Sequence, residues 1–262
     1  MEKLYVIKVG GNIIDDPLAL SAFLKDFASV YEKKILVHGG GKLATKLADQ
    51  LGVPQKLIEG RRITDAETLK LITMVYAGYI NKNIVVQLQA HSCQAIGICG
   101  ADGNLILAHK RNHPTIDYGY VGDIDRVSAD RFIQLLTLGF IPVIAPLTHD
   151  GKGSLLNTNA DTIAQEISKS MSASFDVTLI YSFEKSGVLT NADDDRTVID
   201  NINPESYREL KEKKLIFAGM IPKLDNAFRA LDHGVKQVIV GKAEHLRQLI
   251  VNAAGTKITN ET

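Results

Sequence analysis

The chain has 262 residues with 30 Lys+Arg and 30 Asp+Glu, so its net charge is zero. It therefore has no basic surplus of the kind that nucleic-acid-binding proteins use. No apolar stretch approaches the ~18 residues of a membrane span, and no signal-peptide pattern is present. The two cysteines, Cys93 and Cys99, lack CxxC spacing. We expect them to be reduced and buried in a cytoplasmic protein without a zinc site.

Apolar runs of strand length alternate with amphipathic segments of helix length along the whole chain. The predicted strands are residues 4–9, 34–38, 93–99, 141–145, 177–181 and 237–241. The predicted helices are residues 17–31, 42–51, 65–92, 128–138, 161–172, 204–213, 223–233 and 242–252. Apolar strands separated by helices are typical of parallel sheets covered on both faces. The sequence therefore predicts an α/β fold, a three-layer αβα sandwich with a central, mostly parallel sheet.

Three local features refine this organisation. Residues 64–67 (Thr-Asp-Ala-Glu) predict a capping box with Thr64 as the N-cap of the long helix. The polar segment 100–125 predicts antiparallel strands and loops over a site, with a hairpin turn at residues 102–104. A break near residue 174 divides the chain into lobes of residues 1–174 and 175–262, which we expect to share one continuous sheet.

Two predicted strands run directly into glycine-rich turns, Lys8-Val9-Gly10-Gly11 and Val37-His38-Gly39-Gly40-Gly41. Such turns at helix N-termini leave backbone N–H groups available and let an anion approach closely. Lys8 interrupts an apolar strand, which is costly unless the ammonium reaches a site or partner. These features favour phosphate binding, although tight turns and an edge-strand lysine that reaches water are structural alternatives.

A dinucleotide-binding alternative also follows from this region. Residues 39–44 fit G-x-G-x-x-A, and Glu59 lies twenty residues beyond Gly39. That reading predicts NAD binding and no ADP formation. The segment is not a Walker A loop, because Leu36 and Leu43 stand where Gly and Ser/Thr are required.

Three further polar positions suggest a site. The Arg62 fork suits a carboxylate, whereas we interpret Arg61 as part of an exposed basic turn. Residues 157–161 (Asn-Thr-Asn-Ala-Asp) open a helix, where they could bind a polar substrate and orient lysines or simply cap the helix. Lys223 opposes the dipole at the start of its predicted helix and is expected to face a negative group, the alternative being a solvated lysine.

Together these motifs resemble the amino acid kinase family in order and over nearly the whole chain. The matching segments are residues 8–11, 37–41, 62–68, 77–82, 121–124, 157–161 and 219–223. The resemblance implies the fold of this family. It also implies transfer of the ATP γ-phosphoryl group to the side-chain carboxylate of an N-acylated glutamate. This reaction is the second step of arginine biosynthesis.

The resemblance also implies specific roles. The implied catalytic residues are Lys8, Lys223 and Asp161. The implied substrate-binding residues are Gly40, Gly41, Arg62, Asn157 and Asn159. Phosphate and ATP are expected at Lys8, Gly10, Gly11, Gly187 and Lys223. Mg²⁺ is expected to bind through the ATP phosphates, with no protein metal site.

Two segments of the chain depart from the family pattern. Residues 184–187 (Glu-Lys-Ser-Gly) replace the usual Asp-Val-x-Gly near the nucleotide, and residues 59–62 (Glu-Gly-Arg-Arg) replace Asn-Gly-Leu-Arg near the acyl pocket. The additional Arg61 could serve the extra carboxylate of an N-succinyl substrate. Arginine-inhibited members of the family carry an N-terminal helical extension that links dimers into a hexamer, whereas this chain starts at its first strand. The resemblance therefore implies a homodimer without arginine feedback, with the helix at 65–92 as a candidate dimer surface. A ligand-sensing module is the non-enzyme alternative.

Overall fold

The computed structural model describes residues 1–58, 61–191, 194–216 and 220–261. The strands are β1 (Lys3–Val9), β2 (Lys33–His38), β3 (Leu57–Ile58), β4 (Arg61–Arg62), β5 (Ala95–Ile98), β6 (Ile106–Lys110), β7 (Gly122–Val127), β8 (Ile141–Ile144), β9 (Leu147–His149), β10 (Leu155–Asn157), β11 (Asp176–Phe183), β12 (Asn201–Ile202), β13 (Gln237–Lys242) and β14 (Thr256–Ile258). The helices are α1 (Gly11–Ile14), α2 (Pro17–Ala28), α3 (Gly41–Gln50), α4 (Ala66–Thr73), α5 (Asn81–Ala90), α6 (Ala129–Thr137), α7 (Ala160–Met171), α8 (Pro204–Glu212), α9 (Ile221–Leu231) and α10 (Leu246–Ile250).

The central sheet has the strand order β12-β14-β13-β11-β1-β2-β8-β5. All six strands predicted from the sequence lie in it and run parallel to one another. Among the described strands of this sheet, the one antiparallel pair is β14 with β13. The predicted α/β fold with a mostly parallel sheet is therefore confirmed. The sheet is continuous across residue 174, since β1 of the first lobe pairs with β11 of the second.

Two buried apolar clusters cover the two faces of this sheet. Alternate residues of β1 enter opposite clusters, Ile7 in one and Val6 in the other, as the strand period requires. Helices α2, α3, α4, α5 and α10 pack on the first face, and α6, α7 and α9 pack on the second. This arrangement is the expected three-layer sandwich. No helix within the described ranges is both long and apolar enough to cross a membrane.

A smaller sheet, β10-β9-β6-β7, lies beside the carboxyl ends of the main strands. The expected antiparallel pair in the segment 100–125 is present as β6 and β7. The hairpin predicted at residues 102–104 is wrong, because these residues form a single 3₁₀ turn. The Asp102 carboxylate accepts a hydrogen bond from the Cys99 N–H at 2.6 Å, and this turn leads from β5 to β6, which lie in different sheets.

The helix predicted over residues 65–92 is divided into three parts. A π-helical segment, Met74–Ile80, separates α4 from α5. Thr64 is not the N-cap: Asp65 accepts the hydrogen bond from the Thr68 N–H at 2.8 Å, while the Thr64 hydroxyl donates to the Arg62 carbonyl. The helix predicted over residues 242–252 is also wrong in extent, because β13 continues to Lys242 and a 3₁₀ turn precedes α10.

Lys34 stabilises the connection between α2 and β2. Its side chain is buried, with 4% exposure, and its ammonium donates to the carbonyls of Phe27, Ala28 and Val30 at 2.7–3.0 Å. It also lies 5.1 Å from the centre of the Phe27 ring. A cation at a helix C-terminus satisfies carbonyls that have no partner within the helix.

We therefore expect Lys34→Met to lower the free energy of unfolding by about 2–3 kcal/mol, since buried carbonyls lose a charged donor. Lys33→Met is the matched control: the neighbouring lysine is solvent-accessible and pairs with Glu2 at 3.5 Å. It should lower the free energy of unfolding by less than about 1 kcal/mol. Urea unfolding measures both changes, and equal losses would contradict this role of Lys34.

Candidate active site

A cavity of about 370 Å³ lies at the carboxyl ends of β1, β2 and β11. Parallel α/β sheets bind ligands at this edge, because the glycine turns and helix N-termini meet there. The structure brings ten of the eleven sequence-predicted site residues to its wall: Lys8, Gly10, Gly11, Gly40, Gly41, Arg62, Asn157, Asn159, Asp161 and Lys223. Gly187 is not part of the described cavity wall. It is buried against Thr256, where a Cβ would lie 2.7 Å from the hydroxyl oxygen.

Hydrogen bonds from the two glycine turns join the ends of the three central strands. The Gly10 N–H donates to the Ser182 carbonyl at 3.1 Å, and the Gly39 N–H donates to the Val9 carbonyl at 3.2 Å. The Gly10 N–H is therefore engaged within the protein. Gly10 contributes to the cavity by the close approach that its missing side chain permits.

The second glycine turn has a backbone that only glycine accepts readily. Gly40 has a φ of +153°, and a Cβ there would lie 2.4 Å from the Ile80 Cδ1 atom. Gly41 opens α3, so the first turn of this helix begins at the cavity wall. The structure thus places a helix N-terminus, with its partial positive charge, on the wall of the cavity that Lys8 also lines.

Lys8 lies in the centre of the sheet, not at an edge, so the alternative of an edge-strand lysine is wrong. Its ammonium forms an ion pair with Asp161 at 2.8 Å, and the two side chains are 16% and 25% exposed. Asp161 is held at the start of α7, where the Asn159 side chain accepts hydrogen bonds from the N–H groups of Asp161 and Thr162. The helix-capping interpretation of the 157–161 motif is therefore confirmed for Asn159, which also lines the cavity.

Lys223 lies near the N-terminus of α9, with its ammonium 4.5 Å from the centre of the Phe183 ring. Burial lowers the pKa of Lys223, Asp161 opposes this shift, and nearby Lys8 adds to it. Burial alone would raise the pKa of Asp161, but Lys8 and then Lys223 outweigh it and hold the pKa below its usual value. The three charges therefore interact as one group.

Arg62 and Asn157 define the other side of the cavity. The Arg62 guanidinium is buried and donates to the Gly41 carbonyl at 2.9 Å, to the Thr45 hydroxyl at 2.8 Å, and to the Gln55 side chain. The Asn157 amide donates to the Thr64 hydroxyl at 3.0 Å. These contacts preset both side chains before a ligand binds.

The interpretation of Arg61 as part of an exposed turn is wrong. Arg61 lies in β4, pairs with Ile58 of β3, and is half-buried at the cavity wall. The turn residues Glu59 and Gly60 lie outside the described residues, as does Gly219 of the 219–223 motif.

Several cavity residues were not predicted from the sequence. They are Asn12, Lys42, Leu57, Tyr76, Val121, Pro146 and Phe183. Phe183 was the most accessible to prediction, because it ends the strand that pairs with β1. No sequence pattern indicated that Tyr76 would reach the cavity, since its position depends on the π-helical segment.

Comparison with known proteins places this geometry in a family. The Amino acid kinase family matches residues 3–242 of the chain. The acetylglutamate kinase of Cytophaga hutchinsonii is 56% identical over 261 residues, covering 98% of this chain and 99% of the relative. The acetylglutamate kinase of Phocaeicola vulgatus is 53% identical over 247 residues, covering 94% and 96%.

A solved structure is similar over the same extent. The crystal structure of smu.665 from Streptococcus mutans superposes with a TM-score of 0.77 at 28% identity, covering 98% of this chain and 99% of that one. The family match and the identities extend over nearly all of the chain. The chain therefore belongs to the amino acid kinase family.

Proposed function

We propose that the protein transfers the γ-phosphoryl group of ATP to the side-chain carboxylate of N-acetyl-L-glutamate, giving N-acetyl-L-glutamyl 5-phosphate in the second step of arginine biosynthesis. The relatives named acetylglutamate kinase support this reaction at 53–56% identity. The observation that carries it is the Lys8–Asp161 ion pair beside Lys223, at the meeting point of two glycine turns.

The chemistry suits a carboxylate acceptor. A glutamate side chain is ionised at neutral pH, so the nucleophile needs no general base. One carboxylate oxygen bonds to the γ-phosphorus while the bond between that phosphorus and the β,γ-bridging oxygen breaks, and ADP leaves without a proton transfer. The enzyme must align two anions and neutralise their repulsion.

The cavity residues divide this work. Lys8 and Lys223 stabilise the charge on the transferring phosphoryl group, and Asp161 orients them. Arg62 and Asn157 bind the α-carboxylate and the acylamide of the substrate. In this scheme Arg62 exchanges part of its present contacts for the substrate carboxylate.

The two lobes divide the substrates. Residues 1–174 contain the glycine turn at Gly40 and the residues proposed for the acylglutamate. Residues 175–262 provide Phe183, Glu184 and Lys223 for the nucleotide. The two free cysteines fit a reducing compartment, and we place the reaction in the cytoplasm.

Mg²⁺ would be held by the ATP phosphates. Two carboxylates line the described part of the cavity, and one of them, Asp161, is already paired with Lys8. This donor set fits a metal bound mainly by phosphate oxygens and water, as Mg²⁺ prefers. When bound there, the ion neutralises charge on the β- and γ-phosphates.

N-succinyl-L-glutamate is the second candidate substrate. The position of Arg61 on the cavity wall favours it, because a second guanidinium beside the acyl pocket could bind the additional carboxylate. The relatives' printed names favour the acetyl substrate. Hydroxylamine trapping of the acyl phosphate, with ATP, Mg²⁺ and each substrate in parallel, distinguishes the two.

Turnover of either substrate supports the kinase, and the ratio of kcat/KM identifies the acyl group. A folded protein that binds ATP but produces no acyl phosphate from either substrate contradicts the proposal. That result would favour the ligand-sensing module, although such a module has no need of Lys8, Asp161 and Lys223 together.

Removal of either lysine should lower kcat strongly. We expect Lys8→Met and Lys223→Met each to reduce kcat at least ~10²-fold, comparable to the loss of one preorganised donor to the transition state. Lys236→Met is the control, because this exposed lysine pairs with Asp176 at 3.4 Å and does not line the cavity. A retained kcat in either cavity variant would remove that lysine from the mechanism.

The lowered pKa of Lys223 predicts a loss of activity at alkaline pH. The ammonium is lost as the pH rises, and a lowered pKa moves this loss below the ordinary lysine value of about 10.4. The profile of kcat against pH should therefore fall on its alkaline side. Lys223→Arg should remove this alkaline fall, because arginine stays protonated, and it should lower the plateau value of kcat. An unchanged alkaline fall in this variant would assign the titration to another group.

We further propose a homodimer formed through the surface around the π-helical segment. Met74, Tyr79 and Val86 are 52–66% exposed there, and edge strand β5 follows α5. Light scattering should give twice the chain mass for the wild type and a monomer for the double variant Tyr79→Glu/Val86→Glu. Leu18→Glu, at an exposed apolar residue of α2, should leave the dimer intact. A wild-type monomer or hexamer would contradict this proposal.

A further inference from the structure

His38 is a buried histidine that the proposed mechanism does not use. It ends β2 directly before the second glycine turn and has no exposed surface. Burial lowers the pKa of His38 to about 4, so the ring is neutral at physiological pH. A neutral imidazole has one donor and one acceptor nitrogen, so its partners determine its tautomer.

Asn81 is the partner of the Nε2 atom. The Lys82 ammonium donates to the Asn81 Oδ1 atom at 3.1 Å, which fixes the orientation of the amide group. The Asn81 Nδ2 group then faces the Val143 carbonyl at 2.9 Å and the His38 Nε2 atom at 3.2 Å, and it donates to both. Nε2 is therefore an acceptor, and the ring proton lies on Nδ1.

The proton on Nδ1 faces the glycine turn. The Gly39 carbonyl accepts it at an Nδ1–O distance of 2.8 Å. The Gly39 C=O and the Gly40 N–H belong to the same peptide bond, which is planar and trans, so they point in opposite directions. Holding the carbonyl against the buried ring therefore directs the Gly40 N–H away from that ring, and Gly40 is one of the residues that line the cavity.

The π-helical segment holds the same turn from a second direction. Ile80, its last residue, and Tyr76 pack so closely on Gly40 that a Cβ would lie 2.4 Å and 3.1 Å from their nearest atoms. Asn81 follows this segment directly. Gly97 leaves room for the Asn81 side chain, since a Cβ at Gly97 would lie 2.0 Å from Oδ1. π-helical turns are frequently found at functional sites.

We propose that His38 is a positioning residue, whose Nδ1–H holds the Gly39 carbonyl and so presets the Gly40 N–H as a donor to the charge that develops during phosphoryl transfer. Asn81 acts through His38, because its amide N–H stabilises the tautomer that this hydrogen bond requires. This inference rests on the proposed function in one respect, because phosphoryl transfer supplies the charge to which the Gly40 N–H would donate. The hydrogen-bonded arrangement itself does not depend on that function.

Two substitutions separate positioning from packing. The amide nitrogen of Asn overlays the Nδ1 atom of histidine, and the end of a Gln side chain overlays Nε2. His38→Asn should therefore keep the bond to the Gly39 carbonyl and lose the acceptor for Asn81, whereas His38→Gln should do the reverse. Both leave one buried partner unsatisfied, so we expect similar losses of thermal stability.

The kinetic expectation differs between the two variants. His38→Asn should keep kcat within about threefold of the wild type, and His38→Gln should lose about 10–100-fold in kcat with little change in the KM for ATP. Equal losses in both variants, in proportion to their losses of Tm, would overturn the positioning role.

A spectroscopic measurement tests the arrangement independently of turnover. ¹⁵N-histidine spectra of the wild type should show His38 as the neutral Nδ1–H tautomer, and the Asn81→Leu variant should shift the Nε2 resonance, because this nitrogen loses its hydrogen-bond donor. An Nε2–H tautomer in the wild type would overturn the inference. If the wild type showed the Nδ1–H tautomer but no acyl phosphate, the proposed function would fail while the hydrogen-bonded arrangement stood.

Discussion

The ion pair between Lys8 and Asp161 is the interaction on which the rest of the site depends. A lysine in the central strand of a sheet is tolerated only with a partner, because burial of an unpaired charge is strongly unfavourable. Asp161 is that partner at 2.8 Å, and it also lowers the electrostatic cost of bringing Lys223 near Lys8. Without the carboxylate, two ammonium groups would repel each other in a partly buried cavity. The pair therefore makes it possible to gather positive charge at the position where the proposed reaction requires a phosphoryl group to be neutralised.

The topology of the sheet brings these charges together. Strands β1, β2 and β11 are adjacent and parallel, so the first glycine turn, the second glycine turn and Phe183 meet at one edge. Hydrogen bonds from Gly10 to Ser182 and from Gly39 to Val9 join the three strand ends. Asp161 reaches the same place because α7 packs on the face toward which Lys8 points. Residues distant in sequence are thus positioned by backbone pairing and not by a single loop.

Much of this arrangement could be predicted from the sequence, for identifiable reasons. The parallel strands have long apolar runs, and Lys8 is conspicuous because it interrupts one of them. The short strands β3, β4, β9 and β10 span only two or three residues each, too few for an alternating pattern to be visible. Thr64 and Asp65 both have side chains that cap helices, and only the backbone conformation selected Asp65. Arg61 and Arg62 are likewise adjacent and chemically equal, and their different burial depends on the pairing of β4 with β3.

In the proposed function, Asp161 organises the two lysines for the transition state and not for the nucleotide alone. The most direct measurement is the affinity for ADP with and without aluminium fluoride, Mg²⁺ and N-acetyl-L-glutamate, in the wild type and in Asp161→Asn. We predict that the variant loses ~10²-fold in affinity for the aluminium fluoride complex and less than about threefold for ADP alone, since catalysis is differential binding of the transition state. Equal losses for both ligands would contradict the account.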